Sequence, residues 1–211
     1  MAQVKKEGVR DAILSAAFSL FKEQGYHNTS VPLIARTAGT STANVYVYFP
    51  SKLEILFALY TPWLQQQLDA LEQSLRRLRS RQARLEKILL TLWHDIPFGD
   101  NGFSSNLVQA LSGASRDGYK PVLRNDFRAR IIGWLTDFLA LPAREAEQIA
   151  TVLLMAFDGF VINTRLPDGV VFDGKSARLI CQLLLPASGV KNAELSLGAS
   201  APPVRGIFGS K

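Results

Sequence analysis

Apolar residues along this chain recur mostly at spacings of three and four, the period of a helix with one buried stripe. Val9, Ile13, Ala16, Ala17, Leu20 and Phe21 form such a stripe, predicting a first helix from about Val9 to Gln24. Gly25 follows it, a residue suited to the left-handed cap position. Two short helical pieces are predicted between Ser30 and Phe49. A long helix starts at Ser51, where Ser51-Lys52-Leu53-Glu54 has capping-box spacing. Leu64, Leu68, Leu71, Leu75 and Leu78 then make a heptad-like seam, and Pro62 is expected to kink the helix before it. The seam spans barely two heptads, which favours intramolecular core over a coiled-coil dimer. Further helices are predicted near 82–96, 104–116, 121–140, 144–165 and 175–185. Pro97 with Gly99 and Gly102, Gly118, Pro142 and the stretch 167–174 separate them. Val170-Val171-Phe172 could be a strand but has no evident partner. The tail 188–211 holds four Gly, four Ser and two Pro and is expected to pack poorly and move freely.

Composition sharpens this picture of an all-α protein. Hydrophobic residues make up 47% and charged residues 20% of the 211, which fits a globular chain with a sizeable core. A formal net charge of +6 points weakly towards an anionic partner such as nucleic acid. The single cysteine, Cys181, excludes an intramolecular disulfide and a Cys-based zinc cluster, and two histidines leave little for a His-rich metal site. Lys5, Lys6 and Arg10 before an apolar stretch imitate a signal peptide, but Glu7 and Asp11 interrupt the basic region and no small-x-small cleavage site follows. No apolar run approaches the ~20 residues of a membrane span. A cytoplasmic address is expected, with no membrane partner and no cofactor. Gly-rich phosphate loops, nucleophile elbows and metal-spaced ligands are all missing, so catalysis finds no support in the sequence.

Residues 30–52, SVPLIARTAGTSTANVYVYFPSK, carry the informative motif. Local propensity would make Val45-Tyr46-Val47-Tyr48-Phe49 a strand, since every residue is β-branched or aromatic. The surroundings predict otherwise. Ser30 can cap a short helix that tolerates Pro32 in its first turn, and small Ala35 lets a second helix cross closely. Gly39 supplies the positive φ of a tight turn, Ser41 caps the second short helix, and Pro50 ends it. This is a helix-turn-helix, whose second helix presents its N-terminal side chains to the DNA major groove.

The run from Ile13 to Tyr60 resembles the DNA-binding domain of the TetR family of bacterial transcriptional regulators. Phe21, Gly25, Tyr26, Thr29, Ser30, Val31, Ile34, Ala35, Ala38, Gly39, Tyr46, Tyr48, Phe49, Ser51 and Lys52 fall in that family's register. The resemblance covers about a quarter of the chain; the rest matches in length and helical character alone. It implies a three-helix DNA-binding domain over 8–55 and a helical ligand-binding and dimerisation domain over 56–187, with the tail at 188–211. It further implies that the helix from Thr42 to Phe49 enters the major groove, that Tyr46 and Lys52 contact the sugar-phosphate backbone, and that Ser30 and Arg36 face it. Phenol, ammonium and guanidinium groups suit that task, fixing register without reading sequence. Thr40, Thr42 and Val47 depart from the family's usual residues, which leaves few long donors. Asn44 is the base-reading candidate, able to pair bidentately with adenine, while Thr42, Ala43 and Val47 can touch thymine methyls. Ser41 and Tyr48 complete the expected interface.

The second half is rich in aromatics. Trp63, Trp93, His94, Phe98, Phe103, Phe127, Trp134 and Phe157 are the candidates for lining an effector cavity, though most aromatics must be bundle core. His94-Asp95, beside the break at 97–102, is the polar pair of interest; a hydrogen-bonded helix-end histidine is the plainer account. Asp158 and Asn163, on an otherwise apolar helix, suit either a buried, partnered place or one facing a cavity. Arg76, Arg77, Arg79, Arg81, Arg84 and Lys87 lie roughly 37 Å along a helix from the DNA, at 1.5 Å per residue, and read as a solvated helix end.

A dimer is expected because one short helix reads few base pairs and affinity needs two half-sites. Ile149, Val152, Leu153, Ala156 and Phe160, with Leu179, Ile180, Leu183 and Leu184, are the predicted interface. The expected partners are therefore double-stranded operator DNA, a second copy and a small-molecule effector. The competing reading is a helical carrier or enzyme that binds a small molecule and never touches DNA.

Overall fold

The computed structural model describes residues 2–112, 122–164, 166–169 and 171–185, and among them every regular element is helical. In order these are α1 (Ala2–Asn28), α2 (Val31–Thr37), α3 (Thr42–Tyr48), α4 (Lys52–Arg77), α5 (Arg81–Leu90), a π turn (Thr91–Asp95), α6 (Ile96–Gly99), α7 (Phe103–Ser112), α8 (Val122–Asp137), α9 (Ala143–Asn163) and α10 (Gly174–Leu184). The expected all-α class holds. The tail 188–211, and with it the expectation of its mobility, lies outside the described residues.

The local signals act as expected in the first fifty residues. Gly25 breaks α1 with φ 80°, a conformation costly for any residue carrying a Cβ. Ser30 and Ser41 accept hydrogen bonds from the backbone amides of Leu33 and Asn44, and Ser51 caps α4 through Glu54 N–H at 3.2 Å. The stretch Val45–Tyr48 is helical although its composition favours a strand, because α3 buries Val45 completely against α2 and the caps set its ends. Val171 and Phe172 are not in a strand, and buried Phe172 packs edge-on to Trp93; Val170 lies outside the described residues.

Helix α4 runs unbroken through Pro62, and its leucine seam is intramolecular. Leu64, Leu68, Leu71 and Leu75 are all buried within the chain, each side chain adding roughly 1.5–3 kcal/mol of transfer free energy. Arg84 stands apart from the solvated basic cluster in which the sequence placed it. Its guanidinium donates to the carbonyls of Leu75, Leu78 and Phe138, satisfying the open C-terminus of α4 and clamping it to the end of α8.

Pro97 was expected to end a helix and does not. The chain widens into a π turn just before it, with Ile96 N–H bonded to Thr91 O, and continues into α6. A wider turn relieves the clash between a proline ring and the preceding carbonyls. Helix α1 packs on α2, α4 and α7; α8 pairs with α9, and α10 lies on α5.

Candidate nucleic-acid interface and effector cavity

The turn between α2 and α3 is built from its backbone. Gly39 takes φ 68°, and Thr40 N–H returns to Ala35 O at 2.9 Å. Val45 anchors the inner face of α3 with no exposure, which sends its neighbours outward: Tyr46 is 51% and Val47 76% exposed. Ser30, Arg36, Ser41 and Ala43 are exposed as well, and Thr42, Asn44 and Tyr48 are half-buried. All the predicted contact residues except Lys52 are therefore on α3, its cap Ser41, or α2 and its cap Ser30, and none of them is buried.

Lys52 is placed differently from a simple surface cation. Its ammonium donates to Tyr26 O at 2.7 Å and Thr29 O at 2.8 Å and lies 4.0 Å from the centre of the Tyr26 ring. Burial holds its pKa below the ordinary lysine value. Two of three donors thus bind the end of α1 to the start of α4, leaving one for a phosphate. A cation at the C-terminal carbonyls of a helix is favourable, which is the physical sense of Tyr26, Thr29 and Lys52 occurring together. Asn44 likewise spends one amide hydrogen on Thr40 Oγ1 at 2.7 Å, which leaves its carbonyl oxygen and second hydrogen out of that bond.

In the body of the protein, α4, α7, α8 and α9 surround a narrow cavity of about 30 Å³ that is open to solvent at its mouth. Phe57 and Tyr60 come from α4, Ser104 and Leu107 from α7, Phe127 from α8, and Leu154 and Phe157 from α9. Tyr60 Oη and Ser104 Oγ satisfy each other at 2.8 Å, and burial raises the Tyr60 pKa well above that of a free phenol. At the charged side Arg124 grips Asp158 with two bonds, of 3.2 and 2.6 Å. Asp158 is thus both partnered and cavity-lining, joining the two placements left open by the sequence.

The predicted ligand-binding residues divide. Phe127 and Phe157 line this cavity, and Trp63 and Phe103 line a smaller adjoining space with Tyr60. Trp93 does not join them. It is buried elsewhere, 5.1 Å from the ring centres of both Phe160 and Phe172, with its indole N–H donating to Leu153 O. Trp134 packs in the core and reaches Glu72. His94 and Phe98 are corrected to the surface. The π turn leaves Asp95 bridged to His94 at 3.1 Å and to Lys87 at 3.2 Å, and Phe98 is 52% exposed. The dimer set divides as well. Leu153 turns inward and is 1% exposed, and Ile149, Ala156, Phe160 and Ile180 are partly buried against the core. Val152, Leu179, Leu183 and Leu184 remain outside. They are joined by Met155 and Ile162, which the sequence reading missed although they continue the spacing of Val152 along α9.

Helix α7 links the cavity to α1. Ser104 and Leu107 face the cavity, while Phe103 stacks on Phe18 of α1 at 5.4 Å. Asn106 donates to Phe21 O at 3.2 Å and to Gly102 O at 3.0 Å, and its own oxygen is buried without a partner among the described residues. A buried unsatisfied acceptor is costly, which marks this seam as unusual. Among the described residues no three His, Cys, Asp or Glu side chains are placed to hold a metal ion, and no helix is long and apolar enough to cross a membrane.

Residues 13–59 match the family model described as bacterial regulatory proteins of the tetR family. The chain is 39% identical over 85 residues to the HTH-type transcriptional regulator HbdR of Aromatoleum sp. (strain CIB), covering 40% of this chain and 35% of that protein. It is 42% identical over 137 residues to the HTH-type transcriptional regulator RutR of Escherichia coli (strain K12), covering 60% of this chain and 61% of the relative. The matches thus span between about a third and three fifths of those relatives' lengths. In fold, the chain is similar to the transcriptional regulator FadR from Bacillus subtilis, solved in complex with stearoyl-CoA: the TM-score is 0.57 at 21% identity, over 85% of this chain and 98% of that one. These relatives are named as transcriptional regulators, and residues 13–59 of this chain are similar to the bacterial regulatory proteins of the tetR family.

Proposed function

We propose that the protein is a ligand-responsive repressor that binds a palindromic operator in double-stranded DNA as a homodimer and is released by a small apolar or aromatic ligand. The observation that carries this reading is α3: a short helix with one buried anchor, Val45, and an outer face of exposed Tyr46 and Val47. Tyr46, Arg36 and Lys52 supply phosphate contacts, and Asn44 reads a base. The exposed apolar residues Val152, Met155, Ile162, Leu179 and Leu183 supply the surface that a second copy would bury, setting two recognition helices about one DNA turn apart. The cavity takes the effector, and α7 carries its effect to α1. Release requires that the ligand favour the DNA-incompetent arrangement, and linkage then requires operator DNA to weaken ligand binding by the same factor.

The test is a gel shift on DNA flanking the protein's own gene at low salt, with sedimentation of the same sample. A retarded complex and a dimer at micromolar concentration are expected. Lys52→Ala should flatten the salt dependence by about one charge equivalent, whereas Asn44→Ala should relax preference at one base position. Folded protein that shifts no fragment would favour the carrier or enzyme that never touches DNA. A monomer would remove the two-half-site geometry.

A further inference from the structure

We infer that the cavity selects a molecule with an apolar chain and a carboxylate head, the carboxylate taking the place of Asp158 on the guanidinium of Arg124. This rests on the reading of that cavity as the effector site. The inner wall offers no charged anchor. Tyr60 and Ser104, its uncharged polar lining residues, are buried and bonded to each other, which leaves at most one hydroxyl hydrogen for a ligand, too little to hold a carboxylate stripped of its water. The remaining inner lining, including Leu64, Phe127, Leu154 and Phe157, is apolar. The chain of a ligand therefore goes inward and its head stays beside the charged pair.

Arg124 and Asp158 are the charged residues of the lining, and they sit at its wetter side, their side chains 37% and 31% exposed. Either could be displaced: a carboxylate could replace Asp158, or an ammonium could replace Arg124. Geometry and charge favour the first. The planar fork of an arginine matches a carboxylate bidentately, and it already holds one in that way through Nη1 and Nη2. Exchange of one carboxylate for another keeps these charge-assisted bonds and turns Asp158, already part-exposed, towards water. An ammonium would have to expel the bulkier guanidinium. It would also add positive charge to a chain whose net charge is already +6. Asp158 on this account is a built-in competitor that occupies the head-group position until a ligand arrives.

Calorimetric titration of the full chain with octanoate, octan-1-ol and octylammonium tests this. The carboxylate should bind at least tenfold more tightly than the alcohol, and the ammonium more weakly than either. Asp158→Asn, which weakens the competitor, should tighten octanoate several-fold and leave octanol unchanged. Arg124→Gln should make octanoate and octanol equal. Leu107→Trp, which fills the space, should abolish all binding and so locate the site. Equal binding of acid and alcohol by the unaltered protein, or preference for the ammonium, would overturn the head-group assignment while the cavity stands as an apolar site. Absence of binding by all three would overturn both the assignment and the effector-site reading. Because the contrast among ligands is read on the unaltered protein, the test survives a variant that fails to fold.

Discussion

The head formed by α1, α2 and α3 and the body formed by α4 and α7–α10 are both helical, yet they dispose of their polar groups and their space in opposite ways. In the head, serine hydroxyls close the starts of α2 and α3, Thr29 Oγ1 returns to Gly25 O at 2.8 Å, and Lys52 binds two loop carbonyls. The hydroxyl devices are local, Lys52 alone of these reaching back 23 and 26 residues, and Ile13, Ile34 and Val45 of the small core have no exposure. The body leaves unfilled space beside an ion pair, and an apolar strip outside. Close packing transmits strain and resists change, whereas an underfilled core has alternative arrangements within reach. The contrast suits the proposed division of labour, in which the tightly closed head would read the duplex and the body would receive the small molecule.

The largest expected effect sets the two faces of α3 against each other. Val45→Asp buries an unpaired carboxylate at a position with no exposure and should cost about 3–5 kcal/mol, unfolding the head. Val47→Asp, two residues on and 76% exposed, should leave the melting temperature nearly unchanged but weaken DNA binding tenfold or more by repelling phosphates. Thermal melting and gel shifts separate the two. A Val47→Asp variant with full DNA affinity would mean that α3 is not the reading helix.

A smaller effect is expected where head meets body. Asn106→Ala removes the bonds to Phe21 O and Gly102 O and should cost about 1–3 kcal/mol, read by denaturant unfolding. The variant should still bind both ligand and DNA, but added ligand should release DNA less completely than from the unaltered protein. Full release with the bond gone would place the coupling elsewhere than at this seam.

The smallest effect concerns helix caps. The head uses hydroxyls at Ser30 and Ser41, which do not titrate in this range. Helix α10 is capped by Asp173, whose carboxylate accepts from the backbone N–H and hydroxyl of Ser176 and from Lys175 N–H. The hydrogen bonds from Ser176 hold its pKa below the ordinary aspartate value of 3.8. The unfolded chain thus takes up this proton first as pH falls. The cap's stabilisation is complete above the unfolded value and is lost as pH drops through the lower folded one. Acid titration followed by amide exchange in α10 should show this loss, and Asp173→Ser should remove that pH dependence. An unchanged acid profile in Asp173→Ser would deny the cap its role.

What was legible in advance was what a few neighbouring residues decide among themselves. Caps, the Gly39 turn, the break at Gly25 and the buried stripe of α4 are encoded within one or two helical turns, so the sequence by itself determined the all-α class and the helix-turn-helix. The caps and turn even override the strand propensity of Val45–Phe49, because they act on the same few residues. Other features depend on the rotational phase of one helix against another, and only the tertiary structure decided them. The π turn before Pro97 puts His94 and Asp95 on the surface, and a small rotation of α9 sends Leu153 inward while Met155 and Ile162 stay out. Arg124 meets Asp158 across 34 residues, Asn106 meets Phe21 across 85, and Lys52 turns back to a loop 23 residues behind it. Local spacing carries no term for such meetings. They exist because packed helices bring distant backbone and side-chain groups within bonding distance, and burial favours pairing of polar groups, the Asn106 oxygen being an exception.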